Sequence, residues 1–155
     1  MDAQTLLLDS LNTRWDKYRT ELKTCRKEFS EEAVHDLRVA ARRLLSCLDL
    51  LRAVMQDSKI QKMRRILKDE LDELDDLRDT QVLLADISEM IRETPFLQPF
   101  QEYLQHQEKL LLRAARKEIK SLKVESLSKR IKKLSQTISE LKQTDLDENL
   151  FSAVD

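Results

Sequence analysis

His35, Arg38 and Arg42 recur at intervals of three and four residues, with Arg43 beside them. On a helix that spacing stacks the three side chains on one flank, just beside the apolar line Leu37, Ala41 and Leu44. A histidine and two arginines on successive turns make a fork of donors suited to phosphate. Arginine engages two oxygens at once, and a protonated imidazole adds a third donor. A phosphate held there would favour the protonated imidazole, so binding would strengthen as pH falls through neutrality. The plainer use of the same residues is structural: His35 satisfies a polar group at the edge of a bundle, and the arginines pair with Glu31, Glu32 or Asp49.

A second basic pattern lies further on. Between Lys109 and Lys133 ten bases stand against Glu118 and Glu125. Within that block Lys109, Arg113, Arg116, Lys120 and Lys123 alternate four and three, a stripe along one helix opposite its apolar face. Charges repeated every turn can track a linear polyanion; they can also be a solvated face that keeps the chain soluble. Lys129, Arg130, Lys132 and Lys133 could lengthen the track. The block Asp69–Asp79 is the reverse, with seven acids against Arg78 alone. Asp69, Asp72, Asp76 and Asp79 fall roughly on one helical face. They have neither the glycine turn of a calcium loop nor the Glu-x-x-His pairs of a di-iron bundle, so no metal is expected and the acids are read as ion-pair partners.

Catalytic groupings are not readable. No Ser/His/Asp or Cys/His set is present, and His106 lies mid-helix between Gln105 and Gln107, where exposure is expected. A phosphoanhydride hydrolase would call for a metal or a cradle of backbone amides. The expectation is therefore a non-enzymatic protein without cofactors.

The elements that must carry these residues follow from apolar periodicity. A first helix over about 3–28 turns Leu8, Leu11, Trp15, Tyr18, Leu22, Cys25 and Phe29 inward. Ser30 is a natural N-cap, with Glu31 and Glu32 in the first turn of a second helix that runs to about Met55. Leu37, Ala41, Leu44, Leu48 and Leu51 line its inner face. Asp57 or Ser58 caps a third helix carrying Ile60, Met63, Leu67, Leu71, Leu74, Leu77, Leu84 and Ile91, either as one rod or with a bend midway. Thr94-Pro95 ends it. A fourth helix spans about 97–123, with Phe100, Leu104, Leu111, Ala115, Ile119 and Leu122 inward. Ser126 can cap a fifth, whose stripe is Leu127, Ile131, Leu134, Ile138 and Leu141.

Short connections between long helices force antiparallel neighbours. The predicted fold is all-α: an up-down antiparallel bundle of four long helices over 1–123, an additional amphipathic helix over 124–143, and a frayed polar tail over 144–155. Composition agrees. The 155 residues include no glycine and two prolines, Pro95 and Pro99, which argues against hairpins and removes glycine-rich phosphate loops. Charged residues make up 37% and apolar residues 41%, too apolar for a disordered chain. Net charge is −1, so any polyanion site must come from segregated rather than bulk charge. Cys25 and Cys47 show no metal-ligand spacing and read as core thiols of a reducing compartment. No apolar run reaches membrane-spanning length and no basic region precedes Leu6-Leu7-Leu8, so no membrane partner is expected and the location is read as cytoplasmic.

Two segments carry a family resemblance. His35-Asp36-Leu37-Arg38-Val39-Ala40-Ala41-Arg42-Arg43-Leu44 resembles the second-helix signature of CHAD domains, α-helical domains named for their histidines. Leu71-x-x-Leu74-x-x-Leu77-Arg78-Asp79-Thr80-Gln81-Val82 is similar to the family's Leu-x-x-Leu-Gly-x-x-Arg-Asp-x-Asp-Val segment on the next helix, with Asp75 where the glycine is typical. The resemblance covers residues 5 to about 123. It implies a helical bundle that binds inorganic polyphosphate through a basic surface, often at polyphosphate granules. Carried over residue by residue, it marks His35, Arg38, Arg42, Arg43 and Arg78 as anion contacts. Lys62 and Arg65 join them by position only. Arg113, Arg116 and Lys120 come from the charge stripe and not from the family signature.

A typical CHAD domain has two similar helical halves, each with a histidine motif. This chain has one, so it resembles the N-terminal half alone, as a fragment or as a natural half-length version. A homodimer could then replace the missing half. The functional expectation is non-enzymatic binding of polyphosphate by the basic surface of helices two to four. The alternative is a helical protein–protein interaction or scaffold module with no anion ligand. Nucleic acid is disfavoured, because exposed aromatics for base stacking are few and the acidic block would repel a duplex.

Overall fold

In the computed structural model, residues 2–141 and 143–154 are described. Among them are six α-helices: α1 (Ala3–Lys27), α2 (Glu31–Val54), α3 (Ser58–Met90), α4 (Gln98–Ser121), α5 (Val124–Glu140) and α6 (Gln143–Val154). A single 3-10 turn, Pro95–Leu97, precedes α4, and no strand is present among the described residues. The all-helical fold is as predicted. Residues up to Lys68 together with those from Leu122 onward form one compact unit, and Asp69–Ser121 form another. The division between these units falls inside α3.

In the first unit α1 and α2 form an antiparallel pair across Glu28-Phe29-Ser30. Ser30 Oγ accepts a hydrogen bond from Ala33 N, as an N-cap should, and Glu31 and Glu32 occupy the first turn. Asp2 caps α1 in the same way, its carboxylate accepting from Thr5 N at 2.7 Å. Helix α5 packs on α1. Gln4 Nε2 donates to the carbonyls of Ile138 and Ser139 at 2.8 and 2.7 Å, tying the start of α1 to the last turn of α5. Most of the predicted core is buried: Leu11, Trp15, Tyr18, Leu22 and Cys25 on α1, Leu37, Ala41, Leu44, Leu48 and Leu51 on α2, Ile60, Met63 and Leu67 on α3, and Leu127, Ile131, Leu134 and Ile138 on α5. Phe29, Leu84, Ile91, Leu111, Leu122 and Leu141, expected inward, are only half-buried at element ends and flanks. Leu7, not Leu8, is the buried leucine near the start of α1.

Two boundaries differ from the sequence reading, and one alternative is settled. Helix α5 starts at Val124, so Ser126 lies within it rather than capping it. Of the two forms open for α3, the structure has the single continuous helix, and Asp57, one of the two expected caps, accepts at Oδ1 from Lys59 N at its start. The tail expected to fray from 144 forms α6, which packs on α2 and α1. Polarity suggested fraying, but two residues anchor the segment. Leu146 is fully buried, and Asn149 Nδ2 donates to Val54 O at 2.9 Å, closing an open carbonyl at the end of α2.

The second unit is an antiparallel pair made of the later part of α3 and α4. Gln101 Nε2 donates to Ser88 Oγ at 3.1 Å across the pair. Leu71, Leu74, Leu77 and Ile87 are buried on α3, and Leu104, Ala115 and Ile119 on α4. Thr94 adopts an extended φ ahead of Pro95 and ends the preceding turn, as proline requires of its predecessor. Phe100, expected inward, is 41% exposed.

Candidate functional site

Helix α2 is amphipathic, and its buried residues follow one line from Ala33 to Val54. His35 and Arg42 are exposed and stand on the side of the helix away from that line; Arg43 is exposed as well, and Arg38 is half-buried on the flank. The three-and-four spacing therefore aligns His35, Arg38 and Arg42, but only Arg38 lies beside the buried residues. At 3.6 residues per turn, His35 and Arg42 fall nearly opposite Leu37 and Leu44.

The surroundings are of mixed charge. Lys17 of α1 pairs with Glu21 at 2.8 Å. The hydrogen bond and charge of Glu21 raise the Lys17 ammonium above its usual range; Asp36 adds to this, and Arg43 opposes it. Lys17, Asp36 and Arg43 thus share one electrostatic neighbourhood on the α1–α2 pair. Arg38 and Arg42 each have an interaction partner within the protein. Asp49, one acceptor considered for them, is engaged by Arg64 of α3, whose Nε donates to its carboxylate. Arg64 Nη1 also reaches Gln61 Oε1 at 3.0 Å. Lys62 and Arg65 flank Arg64 and are exposed. Six of the ten predicted contacts thus belong to the first unit: His35, Arg38, Arg42, Arg43, Lys62 and Arg65.

The other four, Arg78, Arg113, Arg116 and Lys120, belong to the second unit, and all are exposed. Arg113, Arg116 and Lys120 line a shallow depression of about 490 Å³ on α4 with Lys117 and Ser121. The five-residue stripe read from the sequence is shorter in the structure. Helix α4 ends at Ser121, and Lys123 precedes the first turn of α5 in the other unit. Arg78 and Arg116 have partners within the protein. Opposing these bases, Asp69, Asp72, Asp76 and Asp79 are exposed along α3. Burial pushes the Glu73 carboxyl up, and the nearby charges of Glu118 and Asp76 push in the same direction. Among the described residues no group of three or more His, Cys, Asp or Glu could hold a metal ion. His106 is exposed, as expected.

One basic site went unnoticed in the sequence. Arg19, Lys23, Arg26 and Lys27 of α1, with Thr20 and with Val124 of α5, line a cavity of about 740 Å³ in the first unit. Arg26 Nη2 donates to the carbonyl of Leu122, which fixes the guanidinium against the start of α5. The signal was available: Arg19, Lys23 and Arg26 follow the same four-and-three spacing as the α4 stripe. Their block also holds Glu21 and Glu28, which masked the run. Burial pushes the Cys47 thiol up, while a hydrogen bond with Ser10 and the charge of Arg14 act the other way. Cys25 and Cys47 are free and buried.

The described residues define an all-helical protein without strands. No helix among the described residues is long and apolar enough to cross a membrane. The family model of the CHAD domain matches residues 9–153, and the chain belongs to that family. The match reaches past residue 123, where the resemblance had been drawn, and takes in α5 and α6. No curated protein matches the chain.

Proposed function

We propose that this chain is a non-enzymatic binding module for inorganic polyphosphate. Membership of the CHAD family over residues 9–153 carries the reading. The exposure of His35 and Arg42 on the outer side of α2, and of Arg43 on its flank, in the segment that bears the family's histidine motif, supports it. Polyphosphate is flexible and carries about one charge per phosphate, so cations set a turn apart can each take a phosphate oxygen as the polymer follows the helix. Arg113, Arg116 and Lys120 offer the same spacing on α4. No nucleophile or general base is assigned; the anion is held and not cleaved. In a cell the module would stand in the cytoplasm and gather at polyphosphate granules.

Titration with phosphate oligomers of rising length tests the proposal. Affinity should grow with oligomer length, because each added phosphate finds a further cation and releases a further counterion. Affinity flat with length would favour a helical scaffold that recruits a protein and has no anion ligand.

A further inference from the structure

Helix α4 carries two apolar faces, and only one is used within its unit. Leu104, Ala115 and Ile119 are buried. A second line, Phe100, Tyr103, Gln107, Leu110 and Ala114, alternates three and four. Phe100, Tyr103 and Leu110 are 41%, 57% and 45% exposed, Ala114 is exposed and Gln107 is partly so. This is a heptad seam of the kind that pairs helices. The rings of Phe100 and Tyr103 stack with centroids 6.4 Å apart and planes 11° from parallel, which gives the line a flat aromatic end. The charge of α4 is polarised along the same line. Glu102 and Glu108 lie in the first half, whereas Lys109, Arg113, Arg116, Lys117 and Lys120 dominate the second against Glu118 alone.

We propose that this face binds a second copy of the chain, with the two α4 helices antiparallel across a two-fold axis at Gln107. The polarity of charge selects the direction. A parallel pair would set five bases beside five bases, whereas the antiparallel pair sets the acidic half of each helix against the basic half of the other. Side-chain size selects the register. Centring on Gln107 places Phe100 against Ala114, large against small, and Tyr103 beside the Leu110-Leu111 step of the other copy. The two Gln107 side chains meet at the axis, where a polar pair fixes register as polar seam residues do in coiled coils. Glu102 then lies on the flank nearest Arg113 of the other copy. The seam is short, so association is weak, with a Kd of about micromolar or higher. The inference needs no anion and does not rest on the polyphosphate reading; it shares Arg113 with that reading, so the association is measured without polyphosphate.

Sedimentation of the full chain over a concentration series, without polyphosphate, measures the association. Oxidative cross-linking of single-cysteine variants gives the geometry, with Cys25 and Cys47 buried and out of reach. Gln107→Cys should form a disulfide-linked dimer and Phe100→Cys should not, because only the residue on the axis meets itself. Leu110→Glu should abolish the dimer with an unchanged helical circular dichroism spectrum. Glu102→Lys should weaken it, and adding Arg113→Glu should restore it. A monomer up to about 200 µM, far above the range of a functional weak interface, would overturn the proposal. So would self-cross-linking of Phe100→Cys as efficient as that of Gln107→Cys, or a monomer whose Phe100 and Tyr103 are protected from oxidative labelling by another part of the same chain.

Discussion

Arginine 38 and arginine 42 sit on one helix a turn apart, and both already interact within the protein. A polyanion that engages them exchanges one partner for another, so their contribution is a difference of two interactions. Their position in the histidine motif still makes them the most informative pair to reverse. Arg38→Glu with Arg42→Glu should weaken polyphosphate binding roughly tenfold or more and lower the slope of log affinity against log salt by about two or more. Reversal of Lys132 and Lys133, both exposed on α5, should cost distinctly less. Equal losses would indicate a diffuse field rather than a site. Glu73 offers a second test. Its carboxyl titrates higher in the folded chain than in the unfolded one, through burial first and then through Glu118 and Asp76. The folded state therefore holds this proton more tightly. The stabilisation from that proton is fully present below the unfolded value and is lost as pH rises through the folded value. Glu73→Gln should raise Tm at neutral pH by on the order of 1 °C, since the side chain is partly exposed and screened, and the gain should vanish in acid. Thermal unfolding at two pH values reads both.

At the scale of the element, α6 shows where sequence patterning runs out. Helices α1 to α5 were legible because a three-and-four apolar spacing commits one face to a core, and Leu37, Leu44, Leu134 and Ile138 are buried as that spacing requires. The segment from Gln143 carries only a brief apolar pattern among polar residues, and among the described residues Leu146 is buried and Asn149 bonds Val54 far away in sequence. Neither could be inferred from local pattern. Asn149→Ala should leave the Val54 carbonyl without its side-chain donor, cost about 1 kcal/mol and speed amide exchange in α6 before the rest of the chain; hydrogen exchange measures this. The same logic separates the parts of the candidate site. The His35, Arg38 and Arg42 alignment was readable because all three lie on one helix. Engagement of Asp49 by Arg64, and the end of the α4 stripe at Lys120, depend on chain folding and helix termination that residue spacing does not encode. The pocket of Arg19, Lys23 and Arg26 was missed because interspersed acids hid its cations in one dimension, whereas the helix turns those side chains into a common cavity.

For the molecule as a whole, a net charge of −1 means that attraction to a polyanion cannot come from bulk charge. It must come from cations gathered on particular helix faces, while acids such as Asp69, Asp72, Asp76 and Asp79 hold others. Such a surface should discriminate among polyanions by linear charge spacing and flexibility. A stiff duplex presents its phosphates on a fixed lattice and meets the acids as well as the bases; a flexible phosphate chain can follow the bases alone. The most direct measurement is competition: labelled long-chain polyphosphate bound to the protein at about 150 mM salt, where non-specific contacts are largely screened, then challenged with unlabelled polyphosphate, duplex DNA, single-stranded RNA and sulfate. Displacement by polyphosphate alone is the predicted result. Equal displacement per charge by DNA or RNA, or no binding at that salt, would contradict it.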